Sequence, residues 1–213
     1  MKKVYFISGI GADKRIFSLL DLSFCEPVFI EWIKPLKNES LSSYALRLRE
    51  QMTELSPTVV GISLGGMLVT EMAKADKTIK AIIISSNKTS SEFPFYLKIG
   101  KYFPVYKWSP QSVSKKIMLQ STWLLGGKTI KEKLLLKQVI KDTDMNFVKW
   151  AIGAIMHWGN KTVPGNLIHI HGTEDKVLPY RYVKADYTLK NGTHVMTLDK
   201  HEELSSLLRQ LIQ

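Results

Sequence analysis

Two hydrophobic rhythms alternate along this chain. Short, nearly continuous apolar runs stand at Lys3–Ser8 (K-V-Y-F-I-S), Val28–Trp32, Thr58–Ile62 (T-V-V-G-I), Lys80–Ser85 (K-A-I-I-I-S), Asn166–His171 and, more briefly, Asp186–Lys190. Runs of this length, rich in Val and Ile and closed by Gly or Pro, predict buried β-strands. Longer stretches with apolar residues at helical spacing lie between them. Ala12–Leu22 carries Ile16, Phe17, Leu19 and Leu20, with Asp13 as a cap. Ser40–Leu55 puts Leu41, Tyr44, Ala45, Leu48 and Met52 on one side, and Pro57 ends it. Leu64, Met67, Leu68, Met72 and Ala73 define a third helix, and Asp199–Ile212 closes the chain with a seam of Leu204, Leu207, Leu208 and Leu211. Apolar strands alternating with amphipathic helices predict an α/β fold with a parallel sheet covered on both faces.

The alternation stops between Lys88 and Lys161. Four helical pieces are predicted there, near Phe93–Phe103, Pro110–Leu125, Thr129–Asp142 and Asp144–Trp158, with no convincing strand. The expected organisation is therefore a core formed by residues 1–87 and 162–213, interrupted by a helical insertion over 88–161. A total of 213 residues, 45% hydrophobic and 23% charged, suits one soluble globular unit with such an insertion.

The third apolar run leads into the chain's most informative stretch, Gly61-Ile62-Ser63-Leu64-Gly65. A Gly-x-Ser-x-Gly run between a strand and a helix predicts a tight turn that lifts the serine hydroxyl clear of the sheet, at the positive end of the following helix. Here the chain resembles the α/β-hydrolase family, and Ser63 matches its nucleophile, with Gly61 and Gly65 as the flanking elbow glycines. A helical lid inserted after the fourth strand is also similar to that family. The resemblance covers nearly the whole chain, apart from the two extra N-terminal strands of larger members. It implies an α/β-hydrolase fold with about six mostly parallel strands, flanking helices and an inserted helical lid.

The resemblance also implies where the partners of Ser63 lie, in the chain order serine, acid, histidine. His-Gly-Thr-Glu-Asp follows the strand after the insertion and resembles the family's acid turn. Asp175 is the matching acid, with the neighbouring Glu174 as the alternative. His194, in Asn-Gly-Thr-His before the last helix, resembles the family's histidine loop, with His201 as the alternative base. The histidine of the His-Gly pair, His171, is structural in the family. Two backbone N–H groups would receive an oxyanion. They are that of Leu64, after the nucleophile, and that of Ile10, in Ser8-Gly9-Ile10-Gly11. The latter loop resembles the family's His-Gly-x-Gly loop with Ser8 in place of the histidine, a departure that bears on how the loop is anchored.

These residues imply a serine hydrolase that cleaves a carboxylic ester, thioester or amide through an acyl-enzyme. A lyase or cofactor-free peroxidase of the same fold is the alternative chemistry, and a non-catalytic binder of small molecules or lipids is the alternative class. A binder has no need of Ser63, Asp175 and His194 together. No cofactor is expected. Gly9-Ile10-Gly11 with Glu31 sketches a dinucleotide fingerprint, but Lys14 occupies its third small position. No metal is expected either, because no Cys, His or carboxylate cluster has ligand spacing. The single cysteine, Cys25, lies among apolar neighbours and reads as an inert core thiol.

Charge adds a second contrast between core and insertion. Residues 88–161 hold thirteen lysines, no arginine and four acids, so most of the chain's net +11 lies in the insertion. The segment also holds Trp108, Trp123, Trp150 and Trp158, with Phe93, Phe95, Tyr96, Tyr102, Phe103, Tyr106 and Phe147. The expectation is a lysine-coated lid whose aromatics and Met118, Met145 and Met156 roof a pocket for a small to medium lipophilic substrate. A weak contact of the basic face with an anionic membrane is a sharper reading. Nucleic acid is not expected, since the insertion lacks arginine for bidentate base contacts. Lys2 and Lys3 precede an apolar run that breaks at Asp13-Lys14-Arg15 without a small-residue cleavage site, so the run reads as a strand in a cytoplasmic protein.

Overall fold

A computed structural model of the chain describes residues 1–95, 102 and 108–213. Six strands form one sheet: β1 (Lys3–Ile7), β2 (Glu26–Phe29), β3 (Thr58–Ile62), β4 (Lys80–Ile84), β5 (Leu167–Gly172) and β6 (Tyr187–Leu189). Their order is β2-β1-β3-β4-β5-β6, and every neighbouring pair is parallel. Burial on both faces explains the continuous apolar runs of the central strands β1, β3 and β4, because neither side of these strands faces water, whereas the edge strands β2 and β6 are partly exposed.

Alternate residues of the central strands feed two cores. Tyr5, Ile7, Val59, Ala81 and Ile83 point to one face, where α1 (Leu41–Arg49) and α2 (Leu64–Ala75) contribute Tyr44, Leu48, Leu68 and Met72. Val4, Phe6, Val60, Ile62, Ile82 and Ile84 point to the other, where the C-terminal helix packs Leu204, Leu208 and Ile212. A one-residue slip in any central strand would exchange the two sets.

The insertion lies between β4 and β5. Its described helices are α3 (Gln111–Gln120), α4 (Thr122–Leu125), α5 (Ile130–Asp142) and α6 (Met145–Met156). Thr129 and Glu132 form a reciprocal capping box at the start of α5. The expected helix over Phe93–Phe103 falls largely outside the described residues. After β6 come α7 (Met196–Asp199) and α8 (His201–Ile212). No helix among the described residues is long and apolar enough to cross a membrane.

Several elements are shorter than their hydrophobic periodicity predicts. Ala12–Leu22 yields only a 3-10 turn over Lys14–Phe17. The Ala12 carbonyl, which a helix starting there would use, accepts instead from the Ser8 hydroxyl and the Trp32 indole, each at 2.8 Å. The predicted helix Ser40–Leu55 stops at Arg49, whose guanidinium bonds the carbonyls of Met52 and Glu54 and so holds the chain that follows in a turn. The predicted helix Pro110–Leu125 breaks at Ser121 into α3 and α4.

Aromatic residues of the insertion serve two purposes. Phe147 and Trp150 of α6 stack against Trp32 and Tyr44, and Trp158 packs on Phe93 while its indole bonds the buried Glu71 at 2.7 Å. They weld the insertion to the core on the α1–α2 side. By contrast Phe95, Tyr102, Trp108 and Trp123 are exposed, so they do not form the continuous roof expected of them. Tyr96, Phe103 and Tyr106 lie outside the described residues.

Candidate active site

The strand β3 enters α2 through a turn so tight that only glycine fits beside it. A Cβ on Gly61 would lie 2.4 Å from the Gly65 carbonyl oxygen, and one on Gly65 would lie 2.4 Å from that of Ile7. Between them Ser63 is held at φ 52° and ψ −116°, a sparsely populated conformation for a residue with a side chain. Three hydrogen bonds hold the Ser63 backbone: its N–H donates to Ile84 O at 2.9 Å, and its carbonyl accepts from the Ser86 hydroxyl at 2.7 Å and from Met67 N–H at 3.2 Å. The strained residue is therefore fixed from the neighbouring strand as well as by its own turn.

The histidine loop brings His194 to this turn from a distance of 131 residues in sequence. His194 Nε2 stands 3.0 Å from Ser63 Oγ, and its Nδ1 stands 2.8 Å from Asp175 Oδ2. Asp175 is buried, and its Oδ1 accepts the backbone N–H groups of Val177 and Leu178 at 2.9 and 2.8 Å. Burial alone would raise its pKa. The charge of His194 and its hydrogen bond, the charge of His171 and the Leu178 N–H outweigh that and hold it below the usual carboxylate range. An ionised Asp175 accepts from His194 Nδ1–H, which leaves Nε2 free to accept the Ser63 proton.

The alternatives stand elsewhere. Glu174 is exposed, one residue from the buried Asp175. His201 Nδ1 lies 2.8 Å from the carbonyl of Leu198 in the preceding helix α7.

His169 and His171 lie wholly buried on β5 behind the acid turn. His171 Nε2–H donates to Leu178 O at 2.8 Å, which fixes Nδ1 as the acceptor for His169 Nε2–H at 3.1 Å. Burial and the neighbouring charges of His171 and Lys88 drive the His169 pKa down to about 2. Burial likewise lowers that of His171, against the opposing charge of Asp175. His169 is neutral, and both rings back the turn from the interior. No group of three or more metal-binding side chains occurs among the described residues. Cys25 is buried, its thiol donating to Leu22 O and pushed up in pKa by burial.

The loop after β1 lies against the same turn. A Cβ on Gly9 would be 3.2 Å from Ser63 Cβ. Ala12 N–H donates to Gly9 O at 3.1 Å, closing the loop on itself. Among the described residues, neither Ile10 N–H nor Leu64 N–H finds an acceptor within the protein. Leu64 is the first residue of α2, where such a free donor is inherent to helices. The departure at Ser8 also has its answer. Ser8 Oγ donates back to Ala12 O at 2.8 Å and ties the two ends of the loop together. The sequence left unsuspected the other residues that hold this region, Trp32, Ser86 and Thr143. Their roles arise from contacts between distant segments and carry no local motif.

A cavity of about 860 Å³ borders this loop, lined among others by Gly11, Ala12, Trp32, Thr143, Phe147 and Trp150. It meets the loop at Gly11 and Ala12 rather than at Ser63 itself. Its floor is aromatic, and Asp13, Lys34, Asp142 and Asp144 stand around it.

The fold agrees with comparisons to known structures. The chain has the α/β-hydrolase fold. A thermophilic esterase from Thermogutta terrifontis superimposes with a TM-score of 0.73 at 13% identity, over 100% of this chain and 89% of the esterase. A structure from a study of carboxylesterases of the Thaumarchaeon Nitrososphaera gargenis does so with a TM-score of 0.73 at 15% identity, over 99% and 89%. A bromoperoxidase from Bacillus anthracis follows with a TM-score of 0.68 at 14% identity, over 99% and 91%. No family model matches the sequence, and no curated protein matches it.

Proposed function

We propose that the protein is a serine hydrolase acting on a small to medium lipophilic carboxylic ester. The observation that carries this reading is the chain of two short contacts from Asp175 through His194 to Ser63, at 2.8 and 3.0 Å. Ser63 Oγ attacks the ester carbonyl as its proton passes to His194 Nε2. The carbonyl oxygen, now negative, meets the N–H groups of Ile10 and Leu64. Collapse of this intermediate breaks the bond to the alcohol, which leaves with the proton from His194 Nε2. Water, deprotonated by the same nitrogen, then releases the acid and restores Ser63. Asp175 keeps the imidazole in the required tautomer and stabilises its cationic form. Residues 88–161 act as the lid, and the aromatic cavity beside the loop suits the lipophilic part of the substrate.

Hydrolysis of p-nitrophenyl esters from acetyl to decanoyl tests this reading. Activity that extends beyond acetyl and disappears in Ser63→Ala is expected. Hydrolysis that survives Ser63→Ala would refute it. Perhydrolysis by the same variant pair addresses the peroxidase alternative, for which a neighbour named as a bromoperoxidase is the support.

A surface feature supports the weak membrane contact. Val113, Ile117, Ile130 and Leu134 are exposed on α3 and α5, among Lys116, Lys131, Lys133 and Lys137. Apolar side chains set among lysines suit an anionic bilayer surface. Co-sedimentation with phosphatidylserine vesicles but not with phosphatidylcholine vesicles is expected, and equal sedimentation with both would contradict it.

A further inference from the structure

The loop that offers Ile10 N–H is not held by the core alone. Thr143, between α5 and α6 of the insertion, places its hydroxyl 2.7 Å from the Gly11 carbonyl, across 132 residues of sequence. Among the described residues no other group donates to Gly11 O. The insertion meets the loop twice more. Met118 Cε would lie 3.0 Å from a Cβ at Gly11, and Asp142 pairs with Arg15 at 2.8 Å.

Peptide planarity turns this contact into a relay. Gly11 C=O and Ala12 N–H belong to one rigid trans peptide and point in opposite directions. Fixing Gly11 O therefore fixes Ala12 N–H, which donates to Gly9 O at 3.1 Å. Gly9 C=O in turn shares its peptide with Ile10 N–H. Two rigid planes thus connect the Thr143 hydroxyl to the direction of the Ile10 donor. Gly11 takes φ +70°, a region where glycine is unstrained, so local sterics leave this turn loosely determined and its fixing falls to hydrogen bonds.

We propose that Thr143 is a positioning residue that aims Ile10 N–H at the oxyanion, and that it makes this aim depend on the docking of the insertion. The inference rests on the reading of Ser63 as nucleophile and Ile10 as donor. The Thr143 hydroxyl has one proton and two acceptors within reach, Gly11 O at 2.7 Å and Val139 O at 2.9 Å. A shift of the insertion that favours Val139 O releases Gly11 O. The first of the two planes then loses its outer anchor. An insertion that is docked and one that is displaced differ, on this account, in transition-state stabilisation and not only in access.

The test compares Thr143→Val, which deletes the hydroxyl at nearly constant shape, with Thr143→Ser, which keeps it. Rates on p-nitrophenyl acetate are divided by the number of sites a fluorophosphonate titrates, so an unfolded fraction does not enter. Outright loss of an oxyanion donor costs about 10²–10³ in kcat, and misdirection of one donor is expected to cost about tenfold. Thr143→Val should lower kcat by about that factor with KM within about twofold, and weaken a trifluoromethyl ketone, whose adduct places an oxyanion in the hole, by a similar factor. Thr143→Ser should stay within about twofold of the parent on both measures. A kcat for Thr143→Val within twofold of the parent overturns the inference. So does a loss that Thr143→Ser shares in full, or one that leaves ketone inhibition unmoved. Hydrolysis that survives Ser63→Ala overturns the nucleophile reading together with this one, whereas Ser63-dependent hydrolysis indifferent to Thr143→Val overturns this one alone.

Discussion

The sheet and the helical insertion solve different problems with different packing. Around Ser63 the core leaves no slack: the residues of α2 from Leu64 to Ala73 are all buried, and the elbow glycines stand where any Cβ would strike a backbone oxygen. In the insertion, α3 and α4 bury no residue, and Ile117 and Leu134 are 55% and 61% exposed. A site that must hold reacting groups to within a fraction of an ångström belongs on the first kind of structure. On the proposed function the insertion is a cover that admits and releases substrate, and elements with few buried contacts open at low cost. Thr143 and the aromatic weld of Phe147 and Trp150 mark where the two kinds meet.

The sharpest way to break this contrast is at the acid. Asp175→Asn keeps the shape but lets the side chain donate to His194 Nδ1, which forces the wrong tautomer. A loss of about 10⁴ in kcat is expected, read from ester hydrolysis at neutral pH, since a change of this kind has that size in a comparable triad. A loss below tenfold would mean that Asp175 does not orient the base.

Stability should divide along the same line. Leu68, wholly buried on α2, should cost about 2–5 kcal/mol when changed to Ala. Ile117→Ser on exposed α3 should change stability by less than about 0.5 kcal/mol. Urea unfolding of the two variants checks the difference. Equal costs would show that the insertion is as tightly packed as the core.

Acid should strike the core from within. His169 has its pKa lowered from 6.5 to about 2 in the folded protein. Below pH 6.5 the unfolded chain binds a proton that the folded chain refuses, so stability is full above that pH and falls as pH drops toward 2. The loss from this group between pH 7 and pH 5 is about 2 kcal/mol. His171, also lowered, adds in the same direction, and the depressed Asp175 adds further loss below the usual carboxylate pKa. His169→Gln should flatten the slope of unfolding free energy against pH above pH 5. An unchanged slope would contradict burial of a neutral His169.

The same contrast explains what the sequence disclosed. Strands buried on both faces write themselves as apolar runs, and the Gly-x-Ser-x-Gly turn, the His-Gly-Thr-Glu-Asp turn and the Asn-Gly-Thr-His loop each carry a local signature, so Ser63, Asp175 and His194 were legible one at a time as candidates. Their convergence was not, because it depends on strand order and on loop closure across more than a hundred residues. The insertion was legible as helical from its periodicity. The outward side of Trp123 was not, because α4 has no buried face and so gives composition but no direction. Thr143 had no signature at all. Its role exists only because a turn of the insertion lands on the carbonyl of Gly11.

The central claim is that Ser63 is an activated nucleophile. Intact-mass analysis after incubation with a fluorophosphonate at neutral pH tests it most directly, with peptide mapping of any adduct. One adduct per chain on Ser63, abolished by Ser63→Ala and strongly slowed by His194→Ala, is the predicted result. Folded protein that carries no adduct, or carries it elsewhere, would contradict the account.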